Sequence, residues 1–193
     1  MDIGCGTSEH HIYLKEHFLI AGVDLDHSFI ELSKRKNPSG NYTVADMKKF
    51  DLKKKYDIVM CLFSSIGYLE SIEEIVLALK CFHEHLSPGG LLIVEPWFSK
   101  KNWVHGMVHV LNAEKDGIKI CRMNRGITSG DHSILNFNYL VGRPDRDVEY
   151  FCEEHKLRLT SNEEMLAAFK KAGFEVTFEE KGLIGRGLYF GSY

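Results

Sequence analysis

The chain has 193 residues, of which 44% are hydrophobic, and a formal net charge of −3 at pH 7. This size allows one domain with a sizeable core, and the charge excludes the basic surface typical of nucleic-acid-binding proteins. No run of about 18 apolar residues occurs, so no membrane span is predicted. The 5 cysteines form no CxxC pair, so we expect no metal site, no disulfide framework and a cytoplasmic location.

Short apolar runs alternate with helical stretches along the first half of the chain. The predicted elements are a strand at 20–25, a helix at 27–36, strands at 42–45 and 56–63, a helix at 71–86 and a strand at 91–95. Ser87-Pro88-Gly89-Gly90 is expected to end the second helix. Continuous apolar strands of this kind favour a parallel sheet covered on both faces, with right-handed crossovers.

The pattern changes after Pro96. Three longer strands are predicted at 117–125, 132–141 and 148–159, with turns at 126–131 and 142–146, which indicates an antiparallel meander. A capping box then predicts a helix from Ser161 to about Lys171. Two closing strands are expected at 174–179 and 187–191.

These elements predict an α/β fold. We expect one domain over residues 1–193, with a doubly wound, Rossmann-like, mostly parallel sheet and an antiparallel final strand pair. The antiparallel β-meander is expected as an insertion at 98–160.

The first residues, DIGCGTS at 2–8, form a glycine-rich turn after an acidic residue. Gly4 and Gly6 allow backbone to approach a ligand closely. A dinucleotide fingerprint requires a third glycine three residues after Gly6. Glu9 stands there, and a carboxylate is a poor neighbour for a diphosphate.

Two further acids follow at regular spacing, each at the end of a predicted strand. Asp24 can accept hydrogen bonds from both ribose hydroxyls. Asp46 can accept one from an adenine amino group, while the Met47 backbone binds the ring nitrogen. Because parallel strand ends gather at one crevice, the pattern predicts a site for a nucleoside without phosphates.

At this point the chain resembles the class I S-adenosylmethionine-dependent methyltransferases. The resemblance is carried by DIGCGTS at 2–8, GVDLD at 22–26, ADM at 45–47, YDIVMCLFSSIGYL at 56–69 and LSPGGLLIVEPW at 86–97. CLFSSIGYL, EPWF and the late GLIGRGLYFG at 182–191 resemble a narrower group. That group dimethylates the amino group of nucleotide-linked deoxyaminosugars, and a substrate-covering antiparallel sheet follows its EPW strand.

The resemblance implies a role for each matching position. Gly4 and Gly6 would face the methionine part of S-adenosylmethionine, and Asp24 and Asp46 would hold ribose and adenine. The implied cofactor-binding residues are Asp2, Gly4, Cys5, Gly6, Asp24, Leu25, Asp46, Met47, Cys61, Leu62 and Phe63. The implied substrate-binding residues are Ser64, Tyr68, Trp97 and Arg186.

Methyl transfer to an amine needs alignment of the reacting atoms and removal of a proton from the ammonium group. Tyr68 falls where some members of the group carry a histidine proposed as general base. His155, on a predicted meander strand, is the other catalytic candidate. Arg186 would serve as a bidentate donor to a nucleotide diphosphate.

The family normally has helices and the first half of a strand upstream of residue 1, so the sequence is expected to be truncated. We therefore keep a remnant with weak cofactor binding and no turnover as one alternative. A methyltransferase for another small molecule is a second, and a nicotinamide oxidoreductase, disfavoured by the missing third glycine, is a third. The expected partner is a small-molecule substrate, with no nucleic acid and no membrane, and a homodimer is left open.

Overall fold

The computed structural model describes residues 1–192. Its strands are β1 (Asp2–Ile3), β2 (Ala21–Asp24), β3 (Asn41–Val44), β4 (Tyr56–Cys61), β5 (Leu86–Val94), β6 (Val108–Lys115), β7 (Ile118–Ser129), β8 (His132–Arg143), β9 (Arg146–Arg158), β10 (Glu175–Glu179) and β11 (Leu188–Ser192). Its α-helices are α1 (His11–Leu14), α2 (His27–Lys36), α3 (Ile72–Glu84) and α4 (Asn162–Lys171), and Ser65–Tyr68 forms one 3-10 turn.

The chain forms two compact units. One contains Met1–Trp97 with the segment from Thr160 onward, and the other contains Phe98–Leu159. The first unit holds a seven-stranded sheet in the order β10-β11-β5-β4-β1-β2-β3. The neighbouring strands β5, β4, β1, β2 and β3 pair in parallel. Strand β11 pairs antiparallel with β5, and β10 pairs antiparallel with β11. This confirms the predicted mostly parallel sheet with an antiparallel final pair.

The order of the strands locates a crevice in the first unit. From β1 the chain moves outward through β2 and β3, then returns to the other side of β1 as β4 and β5. The register aligns Asp2 with Gly22 on one side and with Met60 on the other. Because the winding direction reverses between β1 and β4, the carboxyl ends of these strands border the usual ligand crevice of such sheets.

Two hydrophobic clusters flank this sheet because its side chains alternate between faces. Ala21 and Val23 belong to the large cluster that also contains Phe82 of α3 and Phe169 of α4. A side chain at Gly22 would point to the opposite face, where its Cβ would lie 2.8 Å from the sulfur of Cys5 and 3.0 Å from the Tyr42 ring.

The second unit is a four-stranded antiparallel sheet in the order β6-β7-β8-β9. The sequence predicted three strands in this region, so β6 is a correction. Every residue of β6 is exposed. In its sequence the alternation of Val108-His109-Val110 is broken by Leu111, so only a short strand signal is present. The expected turns are also shorter, because β7 continues to Ser129 and β9 begins at Arg146.

A second correction concerns the Ser87–Gly90 segment, which was expected to end α3. The helix instead ends at Glu84, and β5 begins at Leu86. Leu86 pairs with Tyr56 and Leu91 pairs with Ile58, so this segment forms an irregularity within β5. The predicted capping box of α4 is confirmed, with Ser161 and Glu164 each bonded to the other's backbone.

Across residues 1–192, no helix is long and apolar enough to cross a membrane. Over the same residues, no group of three or more His, Cys, Asp or Glu side chains is placed to hold a metal ion.

Candidate cofactor and substrate site

The glycine-rich turn between β1 and α1 forms one wall of the crevice. Gly4 and Gly6 have φ values of 67° and 53°, in the left-handed region. A Cβ on Gly4 would lie 2.7 Å from the Cβ of Ser65, whereas a Cβ on Gly6 would meet nothing within 4 Å. Gly4 is therefore required for packing inside the protein, and Gly6 borders open space.

Asp24, at the end of β2, is bonded directly to this turn. One carboxylate oxygen accepts the Gly6 N–H at 2.8 Å, and the other accepts the Asp26 N–H at 2.9 Å. Asp26 in turn caps α2 by accepting from the backbone N–H groups of Ser28 and Phe29. Each Asp24 oxygen has a second lone pair for a further donor, so the carboxylate can also bind hydroxyl groups of a ligand.

The Asp46–Met47 segment, after β3, is the third side of the crevice. The Ala45 N–H donates to the Asp24 carbonyl at 2.8 Å. Asp46 accepts the Lys48 N–H at 2.9 Å. The Met47 methyl group would be 3.8 Å from a Cβ on Gly4. Direct contacts thus join the segments that follow β1, β2 and β3, as their common edge predicted.

Two apolar side chains stand exposed at this edge. Leu25 is 72% exposed and Phe63 is 66% exposed. The Phe63 ring lies 5.4 Å from the His10 ring. An adenosine-sized ligand would cover such surface, which is otherwise costly to leave in water.

The turn after β4 carries unusual backbone geometry. Phe63 and Ser64 are consecutive non-glycine residues with φ values of 50° and 63°. Conformations of this kind persist only when their surroundings hold them, and they cluster at functional sites. The Ser65 hydroxyl donates to the Leu62 carbonyl at 3.0 Å, which fixes the beginning of the following 3-10 turn. That turn ends at Tyr68, which is partly exposed.

The predicted substrate residues Trp97 and Arg186 lie together in the first unit. The Arg186 guanidinium carbon is 5.2 Å from the centre of the Trp97 ring. Arg186 also donates to Glu95 at 3.2 Å. An arginine held by a carboxylate and an aromatic ring has a defined orientation, which suits recognition of phosphate.

His155 belongs to the second unit, on β9. Its ring packs edge-on against Phe137, with the centroids 4.9 Å apart, and its Nε2 lies 3.3 Å from Glu153. Tyr139 donates to the same carboxylate at 3.2 Å, and burial is the main reason that the pKa of Tyr139 is raised. The role of His155 as a base stays a prediction.

Two predicted cofactor residues are buried thiols. Burial raises the pKa of Cys5 to about 12 and raises the pKa of Cys61 further above its ordinary value. A thiol that stays protonated is neither a nucleophile nor a ligand for metals. These side chains contribute packing, and only their backbone is available for a ligand.

Asp2 differs from the other predicted cofactor residues because its carboxylate is buried behind the glycine turn. It accepts from His11 Nε2 at 3.0 Å, and His11 Nδ1 lies 2.8 Å from the Tyr42 hydroxyl. The Asn37 amide donates to the same hydroxyl at 3.0 Å. Donors and acceptors alternate correctly if Tyr42 donates to His11 and His11 donates to Asp2. This buried chain of hydrogen bonds joins β1 to α1, the two elements that the glycine-rich turn connects, and so supports the turn.

Sequence reasoning missed this chain and also the role of Glu95. His11 lay outside the motifs, and no local pattern indicates which buried acid a histidine will contact. Glu95 had a signal, since a single carboxylate ending the apolar run LLIV, next to Pro96, is unlike the rest of that strand. An acid at the carboxyl end of a parallel strand is commonly a site residue.

Known proteins place this geometry in a family. A family of proteins described as "Methyltransferase domain" matches residues 1–90. A dTDP-3-amino-3,6-dideoxy-alpha-D-glucopyranose N,N-dimethyltransferase of Streptomyces fradiae is 33% identical over 99% of this chain and 75% of its own length. This chain belongs to the S-adenosylmethionine-dependent methyltransferases.

Solved structures of methyltransferases agree in fold. The crystal structure of DesVI from Streptomyces venezuelae has a TM-score of 0.95 and 33% identity, covering 99% of this chain and 81% of that one. CalS10, an amino pentose methyltransferase from Micromonospora echinaspora solved with S-adenosylmethionine bound, has a TM-score of 0.89 and 30% identity, covering 98% and 80%.

The residues of this methyltransferase fit S-adenosylmethionine, which is its cofactor. The open space at Gly6 is where a Cβ would otherwise intrude. The Asp24 carboxylate lies beside it at hydrogen-bonding distance, and exposed Leu25 offers an apolar surface. A glycine cradle, an acidic acceptor and an apolar wall are the groups that an adenosine with an attached amino acid requires.

Proposed function

We propose that this methyltransferase transfers methyl groups from S-adenosylmethionine to the amino group of a nucleotide-linked deoxyaminosugar. The observation that carries the proposal is similarity to an N,N-dimethyltransferase of such a sugar, at 33% identity over 99% of the chain. The Arg186–Trp97 arrangement supports it, because a nucleotide sugar carries phosphate groups that need a fixed cation.

Within the proposed site, the chain's own groups have separate tasks. S-adenosylmethionine supplies a methyl group on a sulfonium sulfur, which is already a good leaving group. Gly4, Gly6 and Asp24 would hold its methionine and ribose parts, and Asp46 with Met47 would hold adenine. The turn at Phe63–Ser64 would border the reacting methyl group. Alignment of this kind contributes roughly 7–11 kcal/mol to catalysis.

The acceptor amine must lose a proton before it attacks. We assign Tyr68 to orient the amine and pass its proton to water, since a phenol with an ordinary pKa of about 10 is a weak base at neutral pH. His155 is the alternative acceptor. Replacing Tyr68 by Phe and His155 by Asn separates them. If His155 is the acceptor, His155→Asn changes the pH dependence of kcat/KM, whereas loss of an orienting Tyr68 lowers kcat/KM without changing its pH dependence.

The test is a direct assay. The protein is incubated with S-adenosylmethionine and dTDP-3-amino-3,6-dideoxyglucose. The products are separated by chromatography and identified by mass spectrometry. The proposal predicts monomethylated and then dimethylated sugar nucleotide, with formation of S-adenosylhomocysteine in step. Calorimetric binding of S-adenosylhomocysteine without methylation of any nucleotide aminosugar would leave the cofactor in place and contradict this substrate class.

A further inference from the structure

Glu95 is a buried acid that lies within the EPW motif, and neither the sequence analysis nor the proposed mechanism gives it a role. It follows β5 and is 1% exposed. Its own N–H donates to the Cys61 carbonyl at 2.9 Å, which places it beside the end of β4. A carboxylate removed from water is tolerated when charged or polar partners replace its hydration.

One oxygen of Glu95 holds the strained turn. The Phe63 N–H donates to Oε2 at 2.8 Å. A second hydrogen bond joins the residues that follow Phe63 and Glu95 in the sequence, since the Ser64 hydroxyl donates to the Pro96 carbonyl at 2.7 Å. The two left-handed residues are thus fixed one by one by the two residues that follow β5. Each such conformation is unfavourable by itself, so the turn depends on these bonds.

The other oxygen of Glu95 holds a cation from a distant part of the chain. Arg186 Nη2 lies 3.2 Å from Oε1, and the Arg186 side chain is only 11% exposed. The segment around Arg186 contains Gly185 and Gly187, with φ values of 82° and 87°. A backbone of this kind has little intrinsic preference for one conformation, so the ion pair with Glu95 and the Trp97 ring define where the guanidinium lies.

We propose that Glu95 is a positioning residue that ties the turn at the reacting end of the cofactor to the cation that binds the substrate. One carboxylate spans both, with Phe63 on Oε2 and Arg186 on Oε1. Through it, the distance between the transferred methyl group and the bound phosphate of the acceptor is kept constant. The inference rests on the proposed function for the identity of the acceptor, while the two contacts belong to the fold itself.

The geometry makes a specific statement about substitution. Glu95→Gln leaves one acceptor oxygen and introduces one amide donor, so the side chain can satisfy either the Phe63 N–H or Arg186, and it presents a donor to the other. Glu95→Asp keeps the charge and removes one methylene, so the shorter side chain can reach only one of the two partners. Glu175, an exposed residue on β10 of the same sheet, provides the matched control Glu175→Gln.

The experiment measures two affinities on the same proteins by calorimetry. S-adenosylhomocysteine reports the cofactor end, and thymidine diphosphate reports the cation. Wild type is compared with Glu95→Gln, Arg186→Met, the double variant and Glu175→Gln. We expect Glu95→Gln to weaken the binding of thymidine diphosphate by about tenfold or more, the usual scale for a lost charge-assisted contact, here the one between Glu95 and Arg186. The binding of S-adenosylhomocysteine should weaken several-fold. Glu175→Gln should change neither.

The double variant separates positioning from general damage. If Glu95 acts on phosphate binding through Arg186, the effect of Glu95→Gln on thymidine diphosphate disappears in the Arg186→Met background, whereas its effect on S-adenosylhomocysteine remains. An equal loss of thymidine diphosphate affinity in both backgrounds would overturn the proposal, and so would unchanged affinities. If Glu95→Gln does not fold, Glu95→Asp replaces it. Its affinity for one of the two ligands should then fall. Wild-type affinities for both ligands would refute the bridge that Glu95 forms between Phe63 and Arg186.

Turnover distinguishes this inference from the proposed function. In an active enzyme, Glu95→Gln should raise KM for the sugar nucleotide and lower kcat as well, because both ends of the bridge are disturbed. A wild type that binds both ligands and methylates no aminosugar would contradict the proposed acceptor and leave the bridge to be judged by the affinities. A wild type that does not bind thymidine diphosphate would overturn the Arg186 half of the bridge.

Discussion

Asp24 accepts a hydrogen bond from the backbone N–H of Gly6 at 2.8 Å, so the acid that ends β2 holds the glycine turn that follows β1. The same carboxylate is the proposed acceptor for the ribose hydroxyls. One side chain therefore shapes the cradle and is also the proposed ligand for the ribose, so changes at Asp24 should affect affinity through both routes.

Replacing Asp24 by Ala should weaken S-adenosylhomocysteine binding by about 100-fold, because the turn loses its anchor and the ribose loses its acceptor. Asp24→Asn keeps one oxygen and should lose about tenfold. Calorimetry measures both, with Asp147→Asn at an exposed position of β9 as control. Equal affinities for Ala and wild type would contradict the assignment.

The two glycines of the turn should respond differently to Ala. Gly4→Ala places a methyl group 2.7 Å from the Ser65 Cβ in a left-handed backbone, so it should reduce the free energy of unfolding by about 2–4 kcal/mol. Gly6→Ala meets open space and should cost only about 1 kcal/mol, while lowering cofactor affinity. Denaturant unfolding and calorimetry measure the two effects. Reversal of the stability order would contradict the packing described at Gly4.

Ser8 is buried with a φ of 60°, and its hydroxyl donates to Ser33, which donates to the Gly6 carbonyl. Ser8→Ala keeps the unfavourable backbone and loses the bond, so we expect a loss of about 1–2 kcal/mol in the free energy of unfolding. Ser8→Gly loses the same bond but relieves about 1 kcal/mol of strain. The glycine variant should therefore be the more stable of the two by urea denaturation. A less stable glycine variant would mean that the backbone at this position is not strained.

His11 is fully buried between Asp2 and Tyr42. His11→Ala leaves the Asp2 carboxylate without this partner and opens a cavity, so the free energy of unfolding should fall by about 3–5 kcal/mol. The exposed His17→Ala is the control and should have little effect. Thermal or urea unfolding gives the comparison. A loss below that of the control would exclude the buried chain as a support of the turn.

Alkylation tests the burial of the thiols. Because burial raises the pKa of Cys5 to about 12, its thiolate is scarce at pH 8, and the side chain is also shielded. Iodoacetamide should label the exposed Cys152 first and reach Cys5 and Cys61 only after unfolding. Peptide mass spectrometry with and without urea measures this order. Rapid labelling of Cys5 in the folded protein would contradict its burial.

The amino-acid sequence determined the parallel sheet and placed the predicted cofactor residues at its edge, because these depend on local patterns. Continuous apolar runs indicated β2, β4 and β5, and the acids at the ends of β2 and β3 indicated a common edge. The same local reasoning failed in two places where neighbours along the chain do not reveal how a strand pairs. All of β6 is exposed, and Ser87–Gly90, a stop signal by composition, is accommodated by an irregular pairing with β4.

Only the tertiary structure decided which side chains meet across the chain. His11 contacts Asp2, and Glu95 joins Phe63 to Arg186, which lies 91 residues beyond Glu95. Contacts at such separation depend on how strands and helices pack, and no spacing in the sequence encodes them. A carboxylate also has several available partners in any sequence, and burial selects among them because an unpaired charge away from water is too costly.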